Sequence, residues 1–139
     1  MPDDYKILHA IQIGGNTMYE KLSAWLDGVF GQTIPDGVVS VCFNLYEDGE
    51  GSWSMEVVGC SSFDSEDPDW ACDEVTDFGT REEPFAWTED SIWEKVLSDT
   101  TRLLYQYVQE GSASEYLQSL EGVAAGFADG DLNIISEKQ

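Results

Sequence analysis

The chain has 139 residues and a formal charge of −22, from 28 acidic side chains against six basic ones. That length suits a single domain, residues 1–139, with enough chain to bury a real core. The charge excludes a surface built for nucleic acid or anionic membrane, because both would be repelled.

Residues 5–13 fit two patterns: Ile7, Leu8 and Ile11 suit a helix, while Ile7, His9, Ile11 and Ile13 suit a strand. Three helix starts carry Ser or Thr followed three residues later by Glu, the capping-box pattern: Thr17/Glu20, Ser91/Glu94 and Ser112/Glu115. After the first, Tyr19, Leu22, Trp25, Leu26, Val29 and Phe30 recur at helical spacing until Gly31. Residues 38–46 and 52–58 alternate with period two and predict strands, with Val39, Val41, Phe43 and Leu45, then Trp53, Met55 and Val57, facing a core. A Gly-bearing loop, residues 47–51, joins them at hairpin length. Residues 61–84 read as a long irregular region, with a further strand expected at 71–78 despite Asp73 and Asp77. Ile92, Trp93, Val96, Leu97, Leu103, Leu104, Tyr107 and Val108 then form one apolar stripe of a long helix, closed by Gly111. Tyr116, Leu117 and Leu120 mark a short helix, and residues 123–127 and 132–136 flank Asp129-Gly130, a hairpin signal. The order predicts an α+β fold: an antiparallel sheet of four to five strands with two or three helices packed on one face.

The charge is concentrated. Between Glu47 and Glu94 sixteen carboxylates face one cation, Arg81, a net of −15; residues 1–46 carry −3 and residues 95–139 carry −4. Acidic tails that stay disordered lack aromatics. This stretch contains Trp53, Phe63, Trp70, Phe78, Phe85, Trp87 and Trp93, so it is expected to fold. No apolar run approaches the ~20 residues of a membrane span. The opening Met1-Pro2-Asp3-Asp4 lacks the basic-then-apolar layout of a signal peptide. Cys42, Cys60 and Cys72 are odd in number and form no CxxC pair, so free thiols in a reducing cytoplasm are expected.

No catalytic signature stands out. The densest acidic cluster runs from Phe63 to Glu74, but as a calcium loop counted from Asp64 it places Pro68 at position 5, Asp69 at the glycine position and Val75 at position 12. Among 28 carboxylates a close pair arises by chance, so a general acid–base pair has no specific support. His9 is the only histidine, and no nucleophile motif accompanies it. Acids around Cys72 blunt it as a nucleophile. Gly14-Gly15 lacks the remaining residues of a phosphate loop and reads as a turn. Trp25, Trp53 and Trp93 fall on core-facing periodicities. Trp70 and Trp87 do not, and two readings stay open for them: an anchor for a partner, or a plug beneath their own loops.

The runs Phe43-Asn44-Leu45-Tyr46-Glu47-Asp48-Gly49, Asp69-Trp70-Ala71-Cys72-Asp73-Glu74 and Gly126-Phe127-Ala128-Asp129-Gly130-Asp131 look like small acidic bacterial proteins of uncharacterised type. Some of those resemble immunity proteins that accompany polymorphic or contact-dependent toxins. The resemblance implies a cytoplasmic protein that binds and blocks a toxin, often a basic nuclease; it transfers no catalytic or binding residue.

The expected function is therefore non-enzymatic binding of a basic protein, such as a toxin, with no cofactor. Asp64, Glu66, Asp67, Asp69, Asp73 and Glu74 would supply charge contacts, and Trp70 or Trp87 the anchor. Two alternatives remain: a divalent-cation-dependent enzyme or sensor using the 64–74 carboxylates, or an acidic structural domain with no dedicated partner.

Overall fold

A computed structural model describes residues 12–13, 16–80, 82–128 and 130–138. Most of the 5–13 reading, with His9, lies outside the described residues, as do Gly14-Gly15, Arg81 and Asp129. A two-residue ribbon, β1 (Gln12–Ile13) with β2 (Asn16–Thr17), leads into helix α1 (Met18–Phe30). Its capping box forms as the sequence predicts. Thr17 Oγ1 accepts from the Glu20 N–H and Glu20 Oε1 accepts from the Thr17 N–H, both at 3.1 Å. Strands β3 (Ser40–Gly49) and β4 (Ser52–Cys60) make a long antiparallel hairpin whose tight turn uses Gly51 at φ +73°, a conformation that favours glycine. A 3₁₀ turn (Pro68–Cys72), β5 (Glu74–Gly79) and β6 (Phe85–Thr88) follow. Next come helices α2 (Trp93–Glu110) and α3 (Ser114–Ser119), then β7 (Gly122–Phe127) and β8 (Asn133–Glu137).

The fold is α+β, but the sheet differs from the predicted one. It has six strands and is mixed: β5 and β6 both pair with β4, and the order continues β4-β3-β7-β8. β3 and β7 are parallel, with Val41 opposite Val123 and Leu45 opposite Phe127; the other pairings are antiparallel. The chain leaves β3, builds an edge and two helices, and returns beside its starting strand in the same direction. No local pattern announces such a crossover. The strand β6 was also not expected, and two of the predicted caps do not form. Helix α2 starts at Ile92, whose carbonyl accepts from the Lys95 and Val96 N–H groups, and α3 starts at Ala113; neither cap makes a side-chain hydrogen bond. Ser91 and Ser112 stand one residue too early to reach the helix.

The three helices do pack on one face. Leu22 and Leu26 of α1, Val96, Leu103, Leu104, Tyr107 and Val108 of α2, and Leu117 of α3 meet Val41, Phe43, Leu45, Trp53, Met55, Val57, Val123 and Ala125 of the sheet. At roughly 25 cal/mol per Å² of apolar surface removed from water, this interface is the main stabilising term. Tyr107 ties α2 to α1 by donating its hydroxyl to Asp27 Oδ1 at 2.7 Å. The opposite face is covered rather than solvated, which explains why β4 is buried from Trp53 to Cys60 instead of alternating. There Cys42, Val58, Cys60, Ala124 and Trp70 form a second, smaller core with Phe63, Ala71 and Leu132 against it.

Candidate functional site

The acidic segment is built on that second core. Phe63 lies so close over Gly122 that a methyl group there would fall 2.0 Å from its ring. Trp70 packs edge-on against Phe63 with ring centroids 5.1 Å apart. Ser40 in β3 donates its hydroxyl to the Ser62 carbonyl at 2.6 Å, and the Ser61 N–H donates to the Asp73 carbonyl at 2.9 Å. The loop is thus closed at its base and seated by two rings.

Three of its carboxylates shape it. Asp64 Oδ1 accepts from the Glu66 N–H at 2.9 Å, and Asp67 Oδ1 caps the 3₁₀ turn by accepting from the Asp69 N–H at 3.0 Å. Asp73 Oδ2 accepts from the Ser62 hydroxyl at 2.7 Å. Such side-chain-to-backbone turns are what Asp does in irregular segments. All six expected contact residues, Asp64, Glu66, Asp67, Asp69, Asp73 and Glu74, are exposed. All six fall within the 61–74 loop, whose last residue, Glu74, opens β5 opposite Cys60.

The two tryptophans expected beside them are placed differently. Trp70 is 4% exposed and Trp87 7%; both are buried, so neither ring stands on the surface as an anchor. Trp87 lies opposite Trp53 across the β4–β6 pair, and its Nε1 donates to Glu89 Oε1 at 3.2 Å. Trp53 Nε1 donates to the Glu89 carbonyl at 2.9 Å, and Trp25 Nε1 to the Glu83 carbonyl at 3.4 Å. Three indoles therefore hold down the 83–89 stretch, as Phe63 and Trp70 hold down the 61–74 loop. The plug reading wins for both rings, because a large apolar surface gains more from an available sheet face than from water.

Trp93 is the opposite correction. Placed on the core stripe by periodicity, it is 52% exposed, and the preceding Ile92 is 68% exposed. In the first turn of α2 both side chains stay exposed, and burial begins only at Val96.

Among the described residues no three Asp, Glu, His or Cys side chains converge to hold a metal ion. Asp64 and Asp67 bond to loop N–H groups and Asp73 to the Ser62 hydroxyl, so the 64–74 carboxylates do not gather round a common point. Glu56 is a buried acid of the 47–94 segment. It sits on the second sheet face, where Oε1 accepts from the Tyr46 hydroxyl at 2.7 Å and from Asn44 Nδ2 at 3.1 Å. Beside it Cys42 Sγ donates to Asn44 Oδ1 at 3.2 Å. Buried polar groups need such partners to offset lost hydration. Burial pushes the Cys42 and Cys60 thiols up to about 12, with neighbouring acids adding to it. These thiols stay protonated at neutral pH and are poor nucleophiles. Cys42, Cys60 and Cys72 are all free, the last exposed. No helix among the described residues is long and apolar enough to cross a membrane.

The chain matches no protein-family model, no curated protein and no solved structure.

Proposed function

We propose that this chain is a non-enzymatic binding protein for a basic protein partner, with neutralisation of a toxin its most concrete form. The observation that carries the reading is the presentation of the acids. The 61–74 loop keeps its aromatic rings inside and six carboxylates outside, on a base closed by hydrogen bonds. A fixed array of like charge loses little conformational entropy on binding and suits an occupant of opposite sign. Steering by this field would raise association above the unsteered range of about 10⁵–10⁶ M⁻¹s⁻¹. The acids would then cover the partner's own phosphate-binding surface. Three free thiols suit a reducing cytoplasm, where such a protein would act.

The test is a comparison of two baits from the source cell's lysate at 150 mM-range salt (about one Debye length of 8 Å). One bait is the wild-type chain; the other carries Asn or Gln at 64, 66, 67, 69, 73 and 74. The expected result is a strongly basic protein held by the first and lost by the second. Identical retention on both contradicts the proposal.

A further inference from the structure

We infer that Trp93 and the hollows on either side of it are the apolar anchor point of the partner surface. The occupant would be a basic polypeptide segment with an aliphatic or aromatic side chain set among Lys and Arg. This rests on the basic-partner reading and supplies what that reading lost when Trp70 and Trp87 proved buried.

Trp93 is exposed yet held. Its ring stands at 88° to Phe127 with centroids 5.9 Å apart, and Phe127 in turn meets the buried Trp53 at 6.0 Å. The indole is the outermost of three rings rooted in the core, so its position is fixed and it loses little freedom on binding. To one side lies a hollow of about 770 Å³ floored by Leu45, Tyr46 and Phe127 where the parallel strands β3 and β7 end. To the other lies one of about 350 Å³ along α2, lined by Leu97, Thr101 and Asn133. Thr101 Oγ1 there has no hydrogen-bond partner. A rigid exposed Trp between two concavities is the geometry in which aromatic hot spots occur.

Charge selects the occupant. Among the described residues the charged side chains lining the hollows are Glu47 and Glu94, both exposed, and Lys95, next to Glu94 in the chain, is paired with Asp99. A second copy of the chain would bring its own −22 to the contact. Nucleic acid and anionic lipid are repelled for the same reason. A segment with apolar side chains for the hollows and cations for Glu47 and Glu94 satisfies both the shape and the field.

The test uses fluorescence anisotropy with three labelled hexapeptide amides in 50 mM-range salt, where surface charge is weakly screened (Debye length above about 10 Å). Their sequences are Lys-Arg-Phe-Leu-Arg-Lys, Lys-Arg-Ser-Ser-Arg-Lys and Glu-Glu-Phe-Leu-Glu-Glu. The first should bind the wild type, with Trp93→Ala weakening it about tenfold or more and Trp93→Phe recovering most of the loss. The second should bind more weakly and ignore Trp93→Ala, and the third should not bind. Glu47→Gln with Glu94→Gln should weaken the first peptide and flatten its salt dependence. Equal binding of the first peptide by wild type and Trp93→Ala overturns the anchor while leaving the acidic surface standing. Failure of both basic peptides to bind contradicts the basic-partner reading itself. Binding of the acidic peptide, or a dimer that Trp93→Ala dissolves, overturns the choice of occupant. Trp93 is exposed, so both variants should keep the wild-type circular dichroism.

Discussion

The 61–74 loop and the Trp93 corner invert one another. In the loop, six carboxylates face water and the two aromatic rings are packed away. At the corner, the ring faces water and, among the described residues, Glu47 and Glu94 line the hollows beside it. The regions lie at separate points along β3: the loop's base is tied to Ser40 at its start, and the corner begins at Leu45, roughly 17 Å further along the strand. The comparison teaches that neighbours in sequence do not decide where an aromatic goes. What decides is whether a sheet face lies within reach. The Pro68–Cys72 turn drops Trp70 onto Ala124 and Val58, whereas Trp93, in the first turn of α2, meets Phe127 on one side and stays half exposed.

The largest expected contrast follows directly. Trp70→Ala should cost about 3–5 kcal/mol, the range for removing a buried aromatic. Trp93→Ala should cost under about 1 kcal/mol, as for an exposed side chain. Urea unfolding of the two variants measures this, and similar losses would erase the distinction between the regions. Limited proteolysis should find new cuts within residues 61–74 only in the Trp70 variant.

Next is the seat beneath the loop. Gly122→Ala places a methyl group against the Phe63 ring and should destabilise by about 1–3 kcal/mol, the cost of overpacking. Hydrogen exchange should show the loss spreading into the loop and sparing the Trp93 corner. A neutral substitution would mean that Phe63 does not hold the loop.

A pH-dependent effect, small near neutrality, also separates the regions. The thiols of Cys42 and Cys60, under the loop, are raised from 9.0 to about 12 chiefly by burial. Above pH 9 the unfolded chain releases these protons and the folded chain keeps them. Their contribution is therefore complete below pH 9 and is lost as pH rises from about 9 toward 12. The slope is at most about 1.4 kcal/mol per pH unit for each thiol. Tyr107, raised by burial and by its bond to Asp27, steepens the fall in the same direction. Cys42→Ala should lose stability less steeply over that window. An unchanged slope would remove the thiol from the account.

Much of this was legible in the sequence. The Thr17/Glu20 box placed α1, and period-two spacing put Val41, Phe43, Leu45, Trp53, Met55 and Val57 on the helix-facing side. The stripe from Val96 to Val108 did the same for α2. The parallel β3–β7 pairing was not legible, because its partners are separated by three strands and two helices and carry no mutual signal. A trace of it lay in β7 itself: Gly122 and Gly126 leave room for Phe63 and the Asp131 backbone to lie directly on the strand. The four-residue strand β6, just after Pro84, was too short to show a period. For the candidate site, exposure of the six carboxylates followed from residue type alone. The burial of Trp70 and Trp87 and the exposure of Trp93 did not. Periodicity reports which side of a helix faces inward; it does not report where the covering sheet ends.

The central claim, that the stretch from residue 61 to residue 89 turns its indoles in and the first turn of α2 turns its indole out, is tested most directly by fluorine NMR. The chain is labelled with 5-fluorotryptophan, its five resonances are assigned by single Trp→Phe variants, and a neutral soluble gadolinium complex is added. The expected result is strong broadening of Trp93, intermediate broadening of Trp25, and protection of Trp53, Trp70 and Trp87. Broadening of Trp70 or Trp87 equal to that of Trp93 would contradict it.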